Sequence, residues 1–255
     1  MSRKLRMLAV VALCCITVVS AQPSSGTWGR RNLRYDSRRV SFVRLAWTRG
    51  TFGGPVFGQG INFWLHEFPR AEQNLMRVLD DFTLVRARTD GSLNLTLDDP
   101  SLFNYPIAMM WEPGFWVMTD EQAESLRAYL QKGGFVIFND FELRQWDNFE
   151  GQIRRVMPGA QLIALDETHP IFNSFFRIDQ IDVPHPINHH LYGFTPEYFG
   201  LFEDNDRTGR LMAVVNYNTN LAEYWQMAGT GFFPIDAENI GFQLGVNYMM
   251  YGLTH

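Results

Sequence analysis

Apolar positions follow two alternating rhythms along the chain. Short, nearly uninterrupted apolar runs stand at 40–47 (VSFVRLAW), 105–111 (YPIAMMW) and 135–138 (FVIF). Between them, apolar residues return every three to four positions. Ala71, Leu75, Leu79 and Phe82 form one such stripe, opened by Pro69, whose missing N–H has no helical partner to lose. A second stripe, Ala123, Leu126 and Leu130, follows the capping-box sequence Thr119-Asp-Glu-Gln122 and stops at Gly133-Gly134. Trp146, Phe149, Ile153 and Val156 form a third, closed by Pro158-Gly159. The runs predict strands and the stripes predict helices. Further strands are expected at Thr83–Ala87 and Gln161–Leu165, with a short helical turn at Asp98–Phe103. Ala237–Leu253 reads as a helix apolar almost all round, and therefore buried. Tyr198–Phe202 and Arg210–Asn216 flank the polar turn EDNDRTG and predict an antiparallel hairpin at a sheet edge.

Strands separated by helices require crossover connections and a largely parallel sheet. Strands that are apolar throughout, instead of alternating, fit a sheet covered on both faces. The expectation is therefore an α/β domain over residues 39–255, with no internal repeat.

The start of the chain reads differently. Arg3, Lys4 and Arg6 precede an apolar run from Leu8 to Val19, and Val19-Ser20-Ala21 fits the small-x-small cleavage rule. Residues 1–21 are expected to be a Sec-type signal peptide cut near Ala21, which places the mature protein in the periplasm or outside the cell. The run is too short for a stable span. Residues 22–38, rich in Ser, Gly and Arg, read as a flexible leader. Both cysteines, Cys14 and Cys15, lie in the apolar run, and Leu13 before Cys14 argues against lipoprotein processing. The mature chain then holds no disulfide, thiolate metal site or Cys nucleophile. About 230 residues suffice to bury a core without them.

Formal charge is −5, and removing the three basic residues of the signal takes it to −8. Nucleic acid is not an expected partner, because phosphate binding needs a concentrated basic face.

Ligands of open α/β sheets bind at the carboxyl ends of strands. One run ends at Trp111-Glu112 and another at Asn139-Asp140, with Glu142 close by. If the two strands are neighbours, Glu112 and Asp140 face one crevice, where paired carboxylates act as acid and base or hold a divalent cation. The bland alternative makes Asp140 a helix cap and Glu112 a solvated loop residue. His185, His189 and His190 fall within six residues of a Pro-rich loop and are candidate metal ligands, although their spacing matches no metal motif. Ordinary loop hydrogen bonds are the alternative. The glycine-rich stretch Thr48–Phe63, with Phe52, Phe57, Phe63 and then Trp64, suits a lid or a sugar-stacking platform. Arg70 and Glu72 open the first helix beside it. They would close over a ligand or form a helix-start ion pair. The ligand-binding candidates are thus Arg70, Glu72, Trp64, Trp111, Asn139 and Asp140. No cofactor is expected, and a divalent metal is the one candidate ion.

The segments FVRLAW, FPRAEQNL, LDDPSLFNYPIAMMW, TDEQAESLRAYLQKGGFVIFNDF, HPIFNSFF, GRLMAVVNYN and FQLGVNYMMYGLTH, in this order, resemble the bacterial family called domain of unknown function 4159. The resemblance covers roughly Arg39 to His255. It implies a fold similar to class I glutamine amidotransferases, a three-layer flavodoxin-like domain whose mostly parallel sheet carries an antiparallel edge hairpin. It supplies no activity. The amidotransferase nucleophile, a Cys on a tight strand-to-helix turn, has no counterpart in the mature chain, which lacks both G-x-C-x-G and G-x-S-x-G. The leading expectation is a non-catalytic ligand-binding or assembly module, with a carbohydrate, cell-envelope component or protein as partner. A metal-assisted hydrolase built from Asp140, Glu112 and the histidine loop is the alternative, and a structural envelope subunit a third. The hydrolase requires the histidine loop and the strand-end carboxylates to meet within about 5 Å.

Overall fold

The computed structural model describes residues 35–49 and 62–255. The expected signal peptide, most of the leader and all but the ends of the glycine-rich stretch, including Phe52 and Phe57, lie outside the described residues. Nine strands are described: β1 (Val43–Ala46), β2 (Thr48–Arg49), β3 (Leu93–Thr96), β4 (Ile107–Trp111), β5 (Trp116–Val117), β6 (Phe135–Phe141), β7 (Leu162–Leu165), β8 (Glu197–Phe202) and β9 (Leu211–Tyr217). Six α-helices accompany them: α1 (Arg70–Phe82), α2 (Asp120–Gln131), α3 (Gln145–Val156), α4 (His189–Tyr192), α5 (Leu221–Met227) and α6 (Ile235–Thr254).

Seven strands form one sheet in the order β3-β1-β4-β6-β9-β8-β7. The first five are mutually parallel. Numbered along the chain among themselves, they run second, first, third, fourth, fifth, which is the flavodoxin-like order. β8 and β7 add to the β9 edge in antiparallel fashion, with Phe199 facing Val215 and Ile163 facing Gly200. The expected hairpin is therefore β8–β9, and β7 lies beyond it at the rim.

Both faces are covered, as continuous apolar strands require. On one face Ile107, Met109 and Trp111 of β4 pack with Ala71, Leu75 and Leu79 of α1 and with Leu244, Tyr248 and Tyr251 of α6. On the other, Ala108 and Met110 pack with Leu126 and Leu130 of α2 and with Phe149 and Ile153 of α3. The Thr119 hydroxyl accepts from the Gln122 amide while the Gln122 side chain accepts from the Thr119 amide, so the capping box forms as expected. Gly133 stops α2 at φ 103°, a left-handed turn open to glycine.

Two elements differ from the sequence expectation. Thr83–Ala87 forms no strand and makes only an isolated bridge, Val40 to Ala87. Asp80 accepts from the Ala87 amide and holds this segment as a turn at the end of α1. The edge strand is instead β3, in register from Val43–Leu93 to Ala46–Thr96. The second surprise is α5, a short helix behind the polar triplet Asn218-Thr-Asn220.

Candidate active site

The functional constellation lies at the carboxyl ends of β4 and β6, beside β1, where the strand order reverses. β4 ends at Trp111, and Glu112 follows with φ 45°. Near the end of β6, Asp140 takes φ 67°. Glu67, just before α1, takes φ 63°. Three acidic residues in left-handed backbone at one place is unusual, because that conformation disfavours any side chain, and such strain concentrates at functional sites. Asp140 thus occupies a strained turn at the end of β6.

The fourth member is His66, which no sequence pattern marked. Its position is set by a buried arginine. Arg44 on β1 is fully buried, with its guanidinium 3.4 Å from the Trp111 ring centre and its Nε paired to Glu72. Its Nη1 donates to the backbone carbonyls of Trp64 and His66, at 2.6 and 2.8 Å. One cation thereby pins the 62–66 turn over the sheet's end and presents the His66 ring to the carboxylates. Its Nδ1 lies 3.1 Å from Asp140 Oδ2, 3.5 Å from Glu112 Oε1 and 3.7 Å from Glu67 Oε1.

Asp140 is also approached from the other side. His185 Nε2 stands 3.4 Å from Asp140 Oδ1 and 3.8 Å from Glu142 Oε2. The tautomer of His185 is fixed by the backbone, since its Nδ1 accepts from the amides of Ile187 and Asn188. The proton therefore sits on Nε2 and points at the carboxylates. Asn188 Nδ2 donates to Glu142 Oε1 at 2.8 Å and anchors that side chain.

Beneath the site runs a buried chain of hydrogen bonds. The Tyr248 hydroxyl donates to Asn216, Asn216 donates to Asn139, Asn139 donates to Asn220, and Asn220 donates to Glu67 Oε1 at 2.6 Å. Trp111 Nε1 donates to the other oxygen of Glu67. Asn220 Oδ1 also accepts from the amides of Ala222 and Glu223 and so caps α5.

The electrostatics follow from the crowding. Burial, and then the Asp140 charge, push Glu67 up to about 8 and Glu112 up to about 9. Burial alone would raise Asp140 as well, yet the hydrogen bonds from His185 and His66 outweigh it and hold Asp140 below its ordinary value. Desolvation lowers His66, but Asp140, Glu67 and Glu112 more than reverse this and raise it to about 10. Its side chain is half exposed, so solvent screens part of that effect. Glu142 is raised, chiefly by burial. One ligand atom each from His66, Glu112 and Asp140 lie within 4.8 Å of one another. A cation with bonds of about 2.1 Å places neighbouring ligand atoms about 3.0–3.4 Å apart. The His66–Asp140 separation, 3.1 Å, lies within that spacing, and the His66–Glu112 separation, 3.5 Å, lies just beyond it.

The residues singled out from sequence divide clearly. Asp140 is shared, with His185 on one side and, through His66, Glu112 on the other. His189 and His190 take no part: His189 Nδ1 bonds the Phe194 carbonyl, and His190 is exposed on α4. Glu72 lies under the site in the core with Arg44, and not at the rim with Arg70, which is exposed. Asn139 faces the buried amide chain, not the crevice. Trp111 serves the site through its indole N–H, and Trp64 through its backbone carbonyl. Among the described residues no helix is long and apolar enough to cross a membrane.

The sequence profile of one protein family, described as "Domain of unknown function (DUF4159)", matches residues 59–253. No curated protein matches the chain.

Proposed function

This chain belongs to the domain of unknown function 4159 family, and from that premise we propose that it is a divalent-cation-dependent hydrolase. The observation that carries the reading is the convergence of His66, Glu112 and Asp140 on one point, with His185 of the histidine loop against the same Asp140. His185 of the histidine loop lies 3.4 Å from Asp140, one of the two strand-end carboxylates, which supports the reading. The cation's chemistry would be to activate a water molecule and polarise the bond to be cut.

The chain's own groups supply the rest. His66 Nδ1, one Glu112 oxygen and Asp140 Oδ2 offer the ligand set. The Nε2 proton of His185 fixes Asp140 in the orientation that leaves Oδ2 towards His66, the kind of outer support that ligating carboxylates need. Glu142 is the proton carrier. Asn188 holds one of its oxygens, the other accepts no hydrogen bond, and burial lifts its pKa towards the working range of a general base.

Metal analysis tests the reading. The purified chain, dialysed against Zn²⁺ or Mn²⁺, is expected to hold at least one cation. His66→Ala and Asp140→Asn are expected to lose it, and His189→Ala to keep it. Chromogenic esters and phosphoesters are expected to be cleaved by the loaded chain and spared after chelation. A folded chain that binds neither cation refutes the proposal. Binding without turnover on any substrate class returns the site to a ligand-binding module.

A further inference from the structure

We propose that this centre takes two divalent cations, the second held by Glu67 and Glu223 beside His66. The proposal rests on the reading above that the site binds a cation at all.

Glu223 is the pointer. It lies in the first turn of α5 and is 8% exposed. At the third position after the cap Asn220, a glutamate ordinarily turns back to bond the cap's own amide. Glu223 does not. Among the described residues its carboxylate has no hydrogen bond or ion pair, and it converges instead with His66 and Glu67, one ligand atom from each lying within 4.8 Å of the others. The residue is largely buried, and among the described residues no donor holds its carboxylate, which leaves it available to an outside ligand.

Glu67 is prepared for the same role. Each of its oxygens accepts one donor, from Trp111 and from Asn220, which fixes the carboxylate and leaves a lone pair on each oxygen. His66 Nδ1 has a single lone pair and serves one cation. The second is left with Glu67 and Glu223 and completes its shell with further oxygens, from water or substrate. An all-oxygen set favours Mn²⁺ or Mg²⁺.

The charge balance points the same way. Glu67, Glu112, Asp140, Glu142 and Glu223 bring five carboxylates into one crevice. Among the described residues no Lys or Arg pairs with any of them, and their only ion-pair partners are His66 and His185. Once metal has displaced the protons these groups otherwise hold, five carboxylates with neutral histidines keep three negative charges against one divalent cation and one against two. Paired cations also hold the attacking and leaving oxygens of a substrate together.

The test is Mn²⁺ loading of the chelator-stripped chain, read by metal analysis and electron paramagnetic resonance. The wild type is expected to bind two Mn²⁺ with an exchange-coupled signal. Glu223→Gln, which removes charge at a side chain that no hydrogen bond holds among the described residues, is expected to fold, as checked by circular dichroism, and to bind one uncoupled Mn²⁺. One uncoupled Mn²⁺ in the wild type overturns the second site and leaves the hydrolase reading standing. Two in Glu223→Gln overturns the assignment of Glu223. No Mn²⁺ in the folded wild type overturns both the two-cation centre and the reading beneath it. The wild-type spectrum decides the cation number independently of any variant.

Discussion

Without a cation, the protein should lose stability as pH rises through neutrality, and a bound cation should abolish the loss. Glu67 and Glu112 have folded pKa values of about 8 and about 9, against 4.5 as reference. From pH 5 upward the unfolded chain sheds these protons while the folded chain keeps them. Stability then falls with pH, because the folded state binds more protons. Their contribution is fully present below pH 4.5 and is lost as pH rises through 8 and 9. His66, raised to about 10, acts with the same sign above its reference value of 6.5, and half exposed it adds less. Asp140 is lowered, so its contribution is lost only on acidification below this window. One retained proton costs about 1.4 kcal/mol per pH unit, so a single one costs about 3 kcal/mol between pH 6 and pH 8. For a domain of this size that corresponds to a fall in Tm of roughly 6–12 °C. The assay is thermal unfolding at pH 6, 7 and 8, in EDTA and in saturating Mn²⁺. With the cation bound, the ligands have already given up their protons, and the slope should flatten. A metal-free Tm that is level or rising over this range, or a slope unchanged by the cation, refutes the argument.

Two further perturbations test the supports of the site. Arg44→Met leaves Glu72 as an uncompensated buried charge and should cost about 3–5 kcal/mol in urea unfolding, while the double variant Arg44→Met, Glu72→Met should recover most of that and still bind cation weakly, because the 62–66 turn has lost its clamp. Asn220→Ala removes the α5 cap and the partners of Glu67 and Asn139, and should cost about 2–4 kcal/mol, measured by the same unfolding.

The sequence made the parallel sheet readable because β4 and β6 are apolar on both faces and α2 carries its own capping box. It missed β3 because LNLT alternates, as an edge strand buried on one side does, beside the more apolar TLVRA segment. It missed α5 because seven residues behind Asn218-Thr-Asn220 are too short to show a period. Asp140 and Glu112 were legible as strand ends. His66, Glu67 and Glu223 were not, since they come from three places joined only by tertiary contacts. The decisive residue, Arg44, sits inside VSFVRLAW, and nothing local distinguishes a buried arginine that clamps a turn from one that lies at a sheet's margin. Nor does spacing tell which of His185, His189 and His190 turns inward. That choice is made by the amides of residues 187 and 188, which lock the His185 ring.

Glu67, Glu112 and Asp140 each hold a backbone geometry that glycine adopts freely and that glutamate and aspartate resist. Glycine at 112 would relax the backbone and remove a crowded carboxylate at once, whereas at 67 it would strand the buried donors of Trp111 and Asn220, and at 140 that of His185. A laboratory selection for heat resistance alone would therefore drift first towards glycine at 112. The persistence of the acidic side chain there under such pressure would mark a residue the organism needs more than it needs a robust protein.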